Sequence, residues 1–190
     1  PTQIEKTGSS ISVVTKEEME EQQTRQVLDA LTTTPGISVS QFGAKGTDST
    51  VRMRGMPGHY TSVLIDGVEV SDPSRSQTAF DFSQLQTVGI DRIEVLRGSQ
   101  SVLYGGEAVA GAVNIVTERG RGDIKGSAFG EIGSYDTYLV GGGVRGGFDD
   151  DRGGINLSAQ YLDTSGFSAA DENLPGNSEG EDYDNFSSLG

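Results

Sequence analysis

Over the first 120 positions the apolar residues come in short runs bounded by Gly, Pro and polar turns, and their period changes from run to run. Ile11, Val13 and Val14 predict a short strand. Thr15 followed by Glu18 has the spacing of a capping box, which predicts a helix opening there. Val27, Leu28 and Leu31 lie on one side of a second short helix, and Pro35-Gly36 ends it. Ile37 and Val39 alternate with serines, so a strand follows. "FGAKGTDS" is a polar, Gly-spaced loop. "STVRMRGMPGHYTSVLIDGVEV", from Ser49 to Val70, reads as a strand, a turn at Met56-Pro57-Gly58, and a more apolar strand closing on Asp66-Gly67. "SDPSRSQTAFDFSQLQ" is a second polar loop leading into a short helix. "IDRIEVLRG" predicts a strand, and a Gly/Ala-rich turn leads to another over Ala112–Thr117. Mixed short helices and strands over 1–120 indicate a compact α+β domain.

The pattern changes near Gly120. "DIKGSAFGEIG", "TYLVGGGVRGGF" and "GINLSAQYLDTSGF" are long alternating segments. Each is near the ~9–11 residues that a tilted membrane strand requires. Tyr138, Val140 and Val144 alternate with Thr137, Gly141 and Arg145. Ile155, Leu157, Ala159 and Tyr161 alternate with Asn156, Ser158 and Gln160. The joins "GSYD" and "DDDR" are short, while Ser165 to Asp184 is long and acidic. Unequal joins of this kind accompany transmembrane β-barrels. A membrane strand of this type should leave Tyr138, Val140, Val144, Ile155, Leu157 and Tyr161 facing outward with no protein partner. A soluble module should bury that face instead. Residues 121–190 therefore read as the first antiparallel strands of a barrel.

Composition narrows the classes. The net charge of −14 repels nucleic acid, so no nucleic-acid partner is expected. There is no cysteine and a single histidine, which removes disulfides, thiolate metal sites and most Ser-His-Asp or Cys-His machinery. No enzyme is expected. Glycine accounts for 28 of 190 residues, about twice the usual ~7%. Without a collagen period, those glycines must serve turns, bulges and strand faces. No apolar run reaches the ~20 residues of a membrane helix, and none at the N-terminus has the form of a signal peptide.

In order along the chain stand "VLDALTTTPGISV", "VRMRG", "VLIDGVEV" and "IDRIEVLRGSQSVLYGGEAVAGAVNIVT", followed by the barrel-like strands. This set resembles the N-terminal part of TonB-dependent outer-membrane receptors: the plug domain (1–120) and the first barrel strands (121–190). Within the family it is most similar to cobalamin (vitamin B12) receptors. The resemblance implies the outer membrane of a Gram-negative bacterium. It also implies a large scarce nutrient as ligand, with ferric siderophores and haem as alternatives to cobalamin. The inner-membrane partner TonB would grip a short box upstream of Pro1, since "PTQIEKTGSS" contains no convincing version. A complete receptor has many hundreds of residues, so the remaining barrel strands are expected elsewhere. The reading from a different class is a soluble ligand-binding or adhesion module.

Site expectations follow from the resemblance. The two polar loops would lie at the outward apex of the plug, where Phe42, Lys45, Thr47, Ser49, Thr50, Asp72, Ser74, Arg75 and Ser76 would contact ligand. Arginines inside or beside strands need a carboxylate or carbonyl to answer them. By family position Arg54 and Arg97 would face glutamates of the inner barrel wall and seat the plug; otherwise they cap carbonyls within it. Arg52 alternates to the other side. No cofactor is required, but the acidic stretch "DENLPGNSEGEDYDN" offers hard oxygen ligands suited to Ca²⁺. Asp182 and Asp184 match calcium-loop positions of cobalamin receptors. A third position falls on Ser168, with Asp171 close by. Other motifs carry little. "GGEAVAG" lacks the setting of a dinucleotide site, "GSQS" is no nucleophile elbow, Arg121-Gly122-Asp123 is only a tripeptide, and His59 has no metal-ligand neighbours in sequence.

Overall fold

The computed structural model describes residues 10–41, 47–70, 79–99, 108–134, 136–148 and 153–165, and the backbone of 183–189. The chain divides into two compact units. The first comprises residues 1–41 and 48–118, and the second residues 42–47 and 119–190.

The first unit is built on a five-stranded mixed sheet. Its strands are β1 (Ser10–Thr15), β4 (Thr61–Ile65), β5 (Val68–Glu69), β6 (Ile90–Arg97) and β7 (Gly111–Thr117), in the order β1-β6-β7-β4-β5. β6 is antiparallel to both β1 and β7, whereas β4 runs parallel to β7. A separate hairpin pairs β2 (Ile37–Gln41) with β3 (Ser49–Met53). Two single-turn helices, α1 (Lys16–Glu21) and α2 (Val27–Thr32), follow β1. The capping box is present. The Thr15 hydroxyl accepts from the Glu18 amide at 3.3 Å, and Glu18 Oε2 accepts from the Thr15 amide at 2.9 Å. Both helices are too short to persist alone, so burial of Met19 and of Val27, Leu28, Ala30 and Leu31 must hold them. They join a core that includes Val63, Ile93, Val95, Val113, Ile115, Met53 and Phe82.

Two local features explain motif residues. Asp66 and Gly67 both have positive φ, 51° and 83°, as a two-residue turn between β4 and β5 demands. The Asp66 carboxylate accepts from the Thr117 amide at 2.9 Å, which ties the turn to the end of β7. At Gly111 a Cβ would collide with the Leu96 carbonyl and the Met53 sulfur. Only glycine lets β7 start that close to β6. On the sheet, Arg92 binds Glu94 at 2.7 Å and Asp91 at 2.8 Å. The Glu94 hydrogen bond, reinforced by Asp91 against the opposing cost of burial, raises the Arg92 pKa, so this side chain stays charged.

Two expectations need correction. No helix follows the second polar loop: residues 79–89 form turns and a single bridge, Gln26 to Gln86. Their backbone groups are already engaged, because Val27 N–H bonds the Leu85 carbonyl at 2.9 Å and Thr87 N–H bonds the Arg25 carbonyl at 3.1 Å. The reversal after β3 also comes earlier than Pro57. Arg54 and Gly55, with φ of 54° and 76°, make the turn, closed by Met56 N–H on the Met53 carbonyl at 3.0 Å. Pro57 then leads into a 3₁₀ turn over Gly58–Tyr60.

The second unit is an antiparallel meander of β8 (Lys125–Gly133), β9 (Thr137–Phe148), β10 (Gly153–Thr164) and β11 (Tyr183–Leu189). β9 and β10 have 12 residues each, longer than ordinary strands of ~5–6. Gly141-Gly142-Gly143 lies within β9, and at Gly141 the reason is packing. The Phe129 ring of β8 lies over Gly141, where a Cβ would approach its Cζ to 2.6 Å. A glycine opposite an aromatic in this way keeps the pair in register.

Candidate functional site

Three arrangements bear on function. The first lies where the two polar loops rejoin the first unit. Residues 42–46 and 71–78, and with them Phe42, Lys45, Asp72, Ser74, Arg75 and Ser76, lie outside the described residues, and so do Asp171 and Asp182. Thr47 and Thr50 are half-buried. Ser49, expected to touch ligand, is fully buried. Its amide and hydroxyl both donate to Asp81 Oδ1, at 3.2 and 3.4 Å. β3 alternates, with Ser49, Val51 and Met53 turned to the core and Thr50 and Arg52 away from it. Gly58 packs under this strand, its Cβ position 3.1 Å from the Val51 carbonyl and 3.5 Å from Thr50 Cβ.

The second arrangement gathers the two arginines that precede glycines. The Arg54 amide bonds the Gly36 carbonyl at 3.0 Å. The Arg97 side chain crosses Gly36, whose Cβ position is 3.5 Å from Arg97 Cδ, and Arg54 Nη1 lies 3.7 Å from that of Gly98. The two residues thus meet at one corner. Arg97 donates to the Ser10 hydroxyl at 2.7 Å and to that of Ser12, while its buried Nε has no partner. Among the described residues no carboxylate pairs with Arg54 or Arg97. Neither guanidinium caps a carbonyl there; the hydroxyls of β1 satisfy Arg97 in part.

The third arrangement is the outward face of the second unit. Tyr138, Val140, Val144, Ile155, Leu157 and Tyr161 are each between 41% and 59% exposed. The intervening Ser158, Gln160 and Thr164 are buried. On that other side Leu139 and Leu162, paired in register, are buried as well, so the exposed side is the more consistently apolar one, as a lipid-facing barrel wall requires. The register places Tyr161 beside Val140, and Leu157 beside Val144. At one end of the face, Tyr138 stands opposite Asp163, and Asp163 opposite Asp184 of β11. Asp163 therefore joins Asp184, a pairing across strands that spacing along the chain does not reveal. No group of three or more metal-ligating side chains occurs among the described residues.

Comparison with known proteins agrees with these arrangements. The TonB-dependent Receptor Plug Domain matches residues 3–112. The chain belongs to the TonB-dependent receptor family. These receptors are proteins of the Gram-negative outer membrane, a family of transporters and receptors rather than enzymes. The chain is 37% identical over 163 residues to the "Vitamin B12 transporter BtuB" of Photobacterium profundum, covering 85% of this chain and 26% of that protein. It is 36% identical over 109 residues to the "Vitamin B12 transporter BtuB" of Vibrio vulnificus, covering 57% and 18%. The chain thus spans about a quarter or less of these relatives' length. Its fold matches the ferripyoverdine receptor of the outer membrane of Pseudomonas aeruginosa with a TM-score of 0.70 and 24% identity, over 83% of this chain and 20% of that one. The plug and the antiparallel barrel strands of a TonB-dependent receptor are both present, in family order.

Proposed function

We propose that this chain is the N-terminal part of a TonB-dependent transporter that binds and imports a large scarce nutrient, cobalamin first. The observation that carries the transporter reading is the solvent-exposed apolar face of Tyr138, Val140, Val144, Ile155, Leu157 and Tyr161, joined to a plug in one chain. The choice of cobalamin rests on the two vitamin B12 transporters above. A soluble adhesion module would have buried that face.

In this reading the segments around Phe42–Thr50 and Asp72–Ser76 contact ligand, and Thr50 is the described side chain best placed to do so. Arg54 and Arg97 seat the plug against acidic groups of the barrel wall, which supply the carboxylates that neither finds among the described residues. TonB engages a segment upstream of the first strand, and further strands pair with the open edges of β8 and β11. Ca²⁺ gathers Asp182 and Asp184 with Asp171 or Asp163 near the outer rim.

The test is a binding screen of the full-length receptor in detergent with cyanocobalamin, ferric siderophores and haem as probes. Saturable binding of cyanocobalamin alone supports the reading. Selective binding of a ferric siderophore or haem overturns cobalamin while keeping the transporter. No binding of any of the three by a folded receptor overturns the nutrient class.

A further inference from the structure

We propose that Gln26 and Gln86 hold a buried water molecule between them, a structural hydration site that ties the entry of α2 to the stretch 79–89. Both residues belong to the first unit, and both are buried, with 4% and 1% of their surface exposed. They face each other across the isolated antiparallel bridge. The flanking bonds run from Val27 N–H to the Leu85 carbonyl at 2.9 Å and from Thr87 N–H to the Arg25 carbonyl at 3.1 Å. That pattern makes Gln26 and Gln86 a non-hydrogen-bonded pair, whose Cα atoms approach to about 4.5 Å with the side chains adjacent on one side. The Thr87 hydroxyl also donates to the Thr24 carbonyl at 2.9 Å, so the backbone around the pair is held from both ends.

The side chains are not used up by local bonds. Gln26 is the N-cap of α2, yet its side chain does not cap the helix. Its Nε2, and both Nε2 and Oε1 of Gln86, are buried without a hydrogen-bond partner. Native interiors pair nearly all such groups, using water where no protein group reaches. The three atoms require an acceptor for two nitrogens and a donor for one oxygen. Exchanging O and N of Gln86 changes nothing, because both are unpaired. A direct bond between the carboxamides would satisfy the oxygen and one nitrogen and leave the other nitrogen bare. A single water meets all three demands. It accepts from Gln26, and it closes a small ring with the adjacent N–H and carbonyl of the Gln86 amide. The carboxamides are neutral and mix donors with an acceptor, which suits water rather than an ion.

The experiment is a crystal structure of the full-length receptor at a resolution that shows ordered waters, with amide hydrogen exchange of Gln26→Met, Gln86→Met and the double variant. Methionine matches glutamine in length and removes both polar atoms. The map should show one water within about 3.2 Å of Gln86 Oε1 and of the Gln26 amide nitrogen. Each single variant strands the remaining glutamine, so the amides of Val27 and Thr87 should exchange about tenfold faster, relative to Val113. The double variant removes every orphan at once and should return to within about threefold of wild type. Three results overturn the proposal. They are a direct bond between the carboxamides with no water, no water at Gln86 in a map that shows others, or effects of the two substitutions that multiply in the double variant. Should a variant fail to fold, the wild-type map decides by itself.

Discussion

Asp66 shows how one side chain can serve two local needs. It takes a left-handed φ of 51°, which Asp and Asn tolerate better than other residues, and its carboxylate accepts from the end of β7. Asp66→Ala keeps the strained backbone and discards the acceptor. We expect a loss of about 1–2 kcal/mol, against a few tenths for Asp66→Asn. The chain has no tryptophan, so urea unfolding followed by circular dichroism is the suitable measurement. An unchanged midpoint in the alanine variant would show that the turn holds without its side chain. "LIDG" is legible in the sequence as a turn because Asp-Gly has few other uses. That its carboxylate reaches Thr117, 51 residues on, is not, since nothing local marks the partner. The same holds for Arg97, whose serine partners are 85 and 87 positions away, and for Asp81, which reads as one more polar residue of a loop.

At the scale of the element, β9 and β10 are legible because alternation is a property of the strand itself. The membrane-facing side is read from its apolar members, and the register then aligns Tyr161 with Val140 and Leu157 with Val144. The turns of 79–89 defeat local reading for the opposite reason. Their fate is decided by the bridge from Gln86 to Gln26, a contact between distant stretches. Adjacent positions on β10 offer a test of the outward face. Leu157 is exposed and lies on the apolar side, whereas Asn156 lies on the polar side, opposite Arg145. In the full-length receptor Leu157→Asp should cost roughly 1–3 kcal/mol, because charge on a lipid-facing position is penalised with depth. Asn156→Asp, next to a cation, should be nearly neutral. Heat-modifiable mobility of the receptor recovered from outer membranes reports the difference. Equal recovery of the two variants would mean that this face does not meet lipid.

At the scale of the whole molecule the two units differ in how they satisfy themselves. The first has a sheet with a packed core that includes Val95, Val113 and Phe82. The second presents an apolar face to its surroundings, and among the described residues β8 and β11 each have one edge without a paired strand. Limited proteolysis of the isolated chain in plain buffer should therefore spare residues 1–120 and trim 121–190. A tail as resistant as the plug would contradict this. Charge follows the same division. Residues 121–190 hold thirteen acids and four bases, Arg121, Lys125, Arg145 and Arg152, and the register pairs Lys125 with Arg145 at the end of the sheet where β8 begins. Among the described residues the other end carries Glu131, Asp136, Asp163 and Asp184, and the sequence from Ser165 to Asp184 adds further acids and no base. The backbone register pairs Asp163 with Asp184. Crowded carboxylates within a Debye length of ~8–10 Å favour a cation that gathers them. We therefore expect millimolar Ca²⁺ to order residues 171–184 through Asp182 and Asp184. The measurement is calorimetric Ca²⁺ titration of the full-length receptor beside a variant carrying both Asp182→Ala and Asp184→Ala. Heat that saturates in the wild type and is lost in the variant supports the site. Equal affinity in both, or none in either, leaves this stretch a solvated acidic loop.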